Sequence, residues 1–179
     1  SMSGNGMTQV KAAATALVNS MLANSNANVR ISVVTYSADV TKMNNGAFYG
    51  YSQKSDLLSL IDTIPTYTNG STNIQLGIKT GRDLLTSSTA ERKIMVVLSD
   101  GEPNYSYKAT SVQQSYTGFA SVTGVTAHNF RLYDFNYSTQ LGDGRNYTLS
   151  PTYTVGSPAV TVSDNGIGTI SEAALAKAS

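Results

Sequence analysis

The stretch Val96-Val97-Leu98-Ser99-Asp100-Gly101-Glu102-Pro103 decides the reading of this chain. An apolar run that begins at Ile94 stops abruptly at a carboxylate and a turn. A continuous apolar segment of this length predicts a strand covered on both faces, as in a parallel sheet. Gly101 and Pro103 end it by turn chemistry. Asp100 is thereby placed at the carboxyl end of a buried strand, the edge where open α/β sheets bind their ligands.

Two other segments lead to the same edge. Thr72 opens a helical pattern in which Ile74, Ile78 and Leu85 mark one apolar face. Ser1-Met2-Ser3-Gly4-Asn5-Gly6 runs into another, with Met7, Val10, Ala14, Leu17, Val18, Met21 and Leu22 spaced by threes and fours. Between and beyond these starts the pattern alternates. It predicts a helix over 6–24, a strand over 29–36, and a short strand pair over 39–41 and 47–51 that turns through Asn44-Asn45-Gly46. A small helix over 56–64 follows, capped by Ser55 and ended by Pro65, then a helix over 72–86 and a strand over 93–99. Such alternation predicts an α/β fold of the doubly wound, Rossmann-like kind: a mostly parallel sheet with helices on both faces.

After Pro103 the character changes. Residues 104–168 are rich in Tyr, Thr, Ser and Gly, and the segments 130–135 and 153–155 alternate like strands. A structureless loop of that length is rare in a compact domain, so 104–168 is expected to be a β-rich insertion rooted beside Asp100. Helical pattern resumes over 169–178 behind a capping box, Thr169-Ile170-Ser171-Glu172. The expected division is one α/β domain over 1–103 and 169–179, interrupted by an arm over 104–168.

Hydroxyl, hydroxyl and carboxylate from three strand-to-helix loops, in this order, resemble the metal-ion-dependent adhesion site of von Willebrand factor type A domains. Ser1-Met2 is similar to the last Ser and Met of that family's first element, Ser71-Thr72-Asn73-Ile74 to its second, and Ser99-Asp100-Gly101 to its third. The alignment of the first element stays open: Ser1 alone, or Ser1 and Ser3 as a pair. The family's first strand, its leading Asp and its first Ser would precede residue 1, and a further strand and helix would follow residue 179. The resemblance therefore implies a domain incomplete at both ends, its missing strand supplied by adjoining sequence or by another chain.

The resemblance also implies chemistry. Mg²⁺, or Mn²⁺ or Ca²⁺ in its place, would be held by Ser1, Ser3, Thr72 and Asp100, with Asp100 acting directly or through water. A hard cation of this kind takes oxygen ligands and keeps several waters, so neutral hydroxyls leave it electrophilic toward a carboxylate from a protein partner. Asn73, Tyr105, Tyr107 and Tyr116 are the expected contributors to the partner-binding surface. Singly, each has a plainer role: Thr72 and Ser3 as helix caps, Asn73 as loop support, the tyrosines as packing for a small β-rich lobe.

Composition bounds the partners. The 179 residues carry 40% hydrophobic and 13% charged side chains with a net charge of +1. Without a basic run there is no electrostatic footprint for nucleic acid or an anionic membrane, and no apolar stretch approaches the roughly 20 residues of a membrane-spanning helix. Cysteine is absent, which removes disulfides and thiolate chemistry. His128 is the single histidine, expected in a loop or at the surface. With no Gly-x-Ser-x-Gly and one His, a serine hydrolase is disfavoured; Ser3-Gly4-Asn5-Gly6 lacks the Lys of a P-loop and the third Gly of a dinucleotide fingerprint. An enzyme is not expected. Asn-x-Ser/Thr sequons at Asn69, Asn104, Asn136 and Asn146 are what so Asn/Ser/Thr-rich a chain supplies by chance. The low charge and richness in Ser, Thr, Asn, Gly and Tyr are similar to exported bacterial surface proteins. The expected function is a metal-ion-dependent adhesion domain of a bacterial surface or pilus protein, binding a host matrix or cell-surface protein. The alternative is a structural or assembly module of the same family without a working metal site.

Overall fold

The computed structural model describes residues 5–66, 70–99, 101–117 and 129–179. Helix α1 (Asn5–Met21) leads to strand β1 (Val34–Tyr36), which pairs antiparallel with β2 (Val40–Lys42). Upstream of β1, Ile31 exchanges both backbone hydrogen bonds with Tyr49, at 2.9 and 2.8 Å, in an isolated bridge. The strands expected over 29–36 and 47–51 are thus reduced to a short strand and one bridge. Asn44 and Asn45 take left-handed φ values of 45° and 55°, a conformation Asn tolerates better than most residues. They bend the chain between β2 and Tyr49, but not as the turn of the expected strand pair: β2 pairs with β1, and Tyr49 with Ile31. Helix α2 (Lys54–Asp62) takes Ser55 into its first turn instead of using it as a side-chain cap.

The segment around β1 has helices on both sides. Val29, Ile31 and Val33 pack against the core of α1 and α2, formed by Met7, Val18, Leu22, Tyr49, Leu57, Ile61 and Ile64. Tyr36 turns the other way, toward α3 (Ile74–Thr86), where Gly77 lets the helix lie close: a Cβ there would be 2.7 Å from the ring. Alternate residues of one extended segment therefore face two helical layers, as a strand's period of two requires.

The predicted strand over 93–99 does not form. Its backbone joins no ladder, and its apolar side chains stand in solvent, Ile94 69% and Val96 56% exposed. The sequence preference is real but a strand exists only through its neighbours, and no described strand lies alongside these residues. The segment is nevertheless positioned. Met95 packs against Gly81 of α3, and the Tyr36 hydroxyl donates to the Leu98 carbonyl at 2.7 Å. Strand pairing among the described residues is confined to three two-stranded antiparallel sheets, so the parallel ladder expected from the alternation is not among them.

The described residues of 106–164 are β-rich, as expected. Strand β3 (Ser106–Gln113) pairs with β4 (Arg131–Leu141), and β5 (Thr148–Val155) with β6 (Val160–Asp164), all antiparallel. They enclose a second core of Tyr107, Ala109, Phe130, Leu132, Phe135, Leu149, Val155 and Val162, closed by Ile167 of α4 (Asn165–Ala178). Helix α4 starts four residues before its predicted position. The Asp164 carboxylate accepts from the Ile167 amide at 2.9 Å and caps it, leaving Thr169 and Glu172 inside the helix. Glu172 is fully buried instead of reaching back to a cap.

Candidate functional site

Of the four expected metal ligands, Thr72 alone is among the described residues; Ser1, Ser3 and Asp100 lie outside them, as do Asn69 and His128. Thr72 is not the helix cap. Asn73 takes that place, its side-chain oxygen accepting from the Leu76 amide at 3.0 Å. Asn73 is fully buried, and its own amide donates to the Ser37 carbonyl at 2.7 Å, tying the start of α3 to the β1–β2 turn. The residue expected to touch a ligand thus holds the loop, the plainer of its two roles.

Thr72 is 5% exposed and is held at both backbone ends by Asn104. The Thr72 amide donates to Asn104 Oδ1 at 2.6 Å, and the Thr72 carbonyl accepts from the amides of Asn104 and Tyr105 at 3.0 and 3.3 Å. Asn104 Nδ2 donates onward to the carbonyls of Gly70 and Gly144, at 2.8 and 2.9 Å. One buried amide thereby joins the loop before α3 to the entry of β3 and to residues 142–144 just after β4. Its backbone approach is tight: Gly142 has φ of 99°, and a Cβ there would collide with the Asn104 carbonyl. In the sequence Asn104 is visible only as a sequon. Its amide nitrogen is engaged twice and buried, so it offers no glycosylation site. The signal that could have revealed it is a small amide directly after the strand-ending Pro103, where a buried polar clamp is the usual way to satisfy loop backbone.

The tyrosines divide. Tyr107 is buried in the second core, 5.2 Å edge-on from Tyr137, and its amide donates to Gln75 Oε1 at 2.8 Å. Burial raises its phenol pKa, and the nearby Asp39 carboxylate adds to that rise. Packing is therefore the role it fills. Tyr105 and Tyr116 are half-buried, with the Arg131 guanidinium 4.8 Å from the Tyr116 ring centre.

A polar network missed in the sequence joins α3 to α4 behind this edge. Arg82 Nη1 lies 2.8 Å from Glu172 Oε1, an ion pair without hydrogen-bond alignment, while the Tyr137 hydroxyl donates to Glu172 Oε2 at 2.6 Å. Lys79 sits over the Tyr137 ring at 4.7 Å. Burial drives the Glu172 pKa up; Tyr137 and Arg82 pull it partly back.

Against known proteins, the von Willebrand factor type A domain family matches residues 1–143. Two crystal structures of the pilus adhesin SpaC from Lactobacillus rhamnosus GG are similar in fold. The open conformation superposes with a TM-score of 0.74 at 20% identity, over 99% of this chain and 22% of the adhesin. A second form gives 0.73 at 20% identity, over 97% and 21%. This chain spans about a fifth of the adhesin's length, and the likeness takes in the β-rich segment. No curated protein matches the chain.

Proposed function

We propose that this chain, which belongs to the von Willebrand factor type A domain family and has its Rossmann-like α/β fold, is the partner-binding module of a bacterial surface or pilus adhesin. In this reading Ser1, Ser3, Thr72 and Asp100 hold Mg²⁺ or a similar divalent ion. The ion supplies an electrophilic position for a carboxylate of the protein partner, and the chain's own residues fix the geometry of the edge. Residues 104–168 are an inserted arm, and Tyr105 and Tyr116 contribute to partner choice from its surface. The exposed apolar segment 94–98 is covered by an extended strand, from adjoining sequence or from another chain.

The observation that carries this reading is the Asn104 clamp. The Asn104 side chain fixes two backbone groups of the loop before α3, the Thr72 amide and the Gly70 carbonyl, and so holds the hydroxyl-bearing residue in one place, the outer-shell support that an ion site draws on. The donor set fits a hard cation in kind: hydroxyl and carboxylate oxygens, with no Cys and no His in the motif. Calorimetric titration of Mg²⁺ and Mn²⁺ into the domain extended by its upstream sequence tests it. Thr72→Ala and Asp100→Ala should each weaken the isotherm at least tenfold, and undiminished affinity in Asp100→Ala would overturn the site.

A second reading, an assembly module without a metal, is favoured by one observation. Thr72 is almost wholly buried. A flat titration of the unmodified domain would select it.

A further inference from the structure

Beside the Thr72 loop lies a cleft of about 290 Å³ that none of the expected metal ligands lines. Its walls are Thr35, Ser37, Asp39 and Thr41 of the β1–β2 hairpin and Ser71 of the loop before α3, with Tyr36 at one side. The geometry points to a subsite for one cationic side chain, a Lys ammonium or Arg guanidinium of the protein partner, seated on Asp39 in a cleft whose other wall is Ser71, the residue before Thr72.

Charge is the first reason. Asp39 is exposed, and its carboxylate makes no hydrogen bond or ion pair among the described residues. All 12 Lys and Arg residues of the chain are described, and none is paired with it. The carboxylate nevertheless projects its field into the protein, since it helps raise the Tyr107 phenol pKa. An anion is repelled from such a cleft, and an apolar group would strip water from a carboxylate and several hydroxyls without replacing their hydrogen bonds. A cation with several N–H donors satisfies both.

Size and rigidity are the second. The volume lies just below the range of roughly 300–1,000 Å³ that holds drug-sized ligands, room for one side chain and not for a cofactor. Its walls are fixed. Ser37 accepts from Asn73 at 2.7 Å, Gln140 of β4 donates to the Ala38 carbonyl at 3.1 Å, and the Tyr36 hydroxyl is held by Leu98. The cleft is therefore locked to the same helix start that carries Thr72, so a partner reaching Thr72 with an acidic residue has a neighbouring residue over Asp39. Only this pairing of subsites rests on the metal-dependent reading; the cation subsite stands without it.

Amide-resolved NMR titration of the full chain with N-acetylargininamide, and with its uncharged isostere N-acetylcitrullinamide, tests the proposal. The amides of residues 35–41 and Ser71 should move with the arginine probe, at a Kd of order millimolar, equivalent to about 4 kcal/mol. They should stay in place with the citrulline probe and in Asp39→Asn, a substitution at an exposed position that leaves the fold intact. Thr72→Ala should abolish any Mg²⁺ response and spare the arginine response, which separates failure of the metal site from failure of the subsite. Equal shifts in Asp39→Asn, equal shifts with citrulline, or no shift at residues 35–41 would each overturn it.

Discussion

At the scale of single residues, two buried polar groups carry consequences that can be measured. Asn104→Leu removes the partners of the Thr72 amide and of the Gly70 and Gly144 carbonyls. Leaving a buried backbone group unpaired costs about 1–3 kcal/mol, and relaxation offsets part of the sum, so a loss of about 3 kcal/mol is expected from urea unfolding. Metal affinity should fall with it, although Asn104 is not a ligand. Glu172 gives a pH signature. Its raised pKa means that the folded chain keeps this proton where the unfolded chain, with its glutamate near about 4.3, has already released it. Its contribution to stability is therefore greatest at acid pH and declines as pH rises through the ordinary glutamate range to the raised folded value. The unfolding free energy of the parent minus that of Glu172→Gln should fall over that interval; a constant or rising difference would contradict the direction. The role of neither residue was legible in the sequence, where Asn104 reads as a sequon and Glu172 as part of a capping box. Thr72 and Asp100 stood out because a turn after an apolar run and a hydroxyl at a helix start are local patterns, whereas Asn104 and Glu172 matter through partners 32 and 35 residues or more away.

At the scale of elements, sequence and structure agree where an element makes its own hydrogen bonds and diverge where it needs a neighbour. Helices α1, α2 and α3 lie within a few residues of their predicted ends, because 3.6-residue periodicity and turn residues are written locally. In the β-rich segment, parts of β4 and β5 were legible as alternation over 130–135 and 153–155, while β3 and β6 were not. The 93–99 segment carries the strongest strand pattern of the chain, yet its backbone is unpaired. The early start of α4 has a different cause: Asp164 competes with Thr169 for the cap and wins because Asn165 is itself anchored, its amide donating to the Tyr147 carbonyl at 2.9 Å. Asp164→Ala should therefore cost about 1 kcal/mol, typical of a lost N-cap, and Thr169→Ala markedly less. Chemical denaturation of the two variants side by side measures the difference, and the reverse order would restore the sequence-based start.

At the scale of the molecule, two separate apolar cores share the work, one beneath α1 and α2 and one inside the β-rich segment. The apolar residues of 94–98 belong to neither. Leu132→Ala, at a fully buried site of the second core, is expected to cost about 2–5 kcal/mol. Val96→Ala should change the stability of this chain by less than about 0.5 kcal/mol, as for an exposed position. Once an added strand covers it, the same substitution should cost appreciably more, and a thermal melt in each state reads the difference. The β-rich segment, which leaves the chain at β3 and returns at α4, is tied at its base in a way that has a mechanical consequence. Ser106 Oγ donates to Asn165 Oδ1 at 2.8 Å, so the first residue of β3 and the first of α4 are bound directly to each other across 59 positions of sequence. A pull on the far end of α4 thus meets a short cut. Load passes sideways from Asn165 into Ser106 and Asn104, and the four strands between them hang from the line of tension without bearing it until that bond gives way.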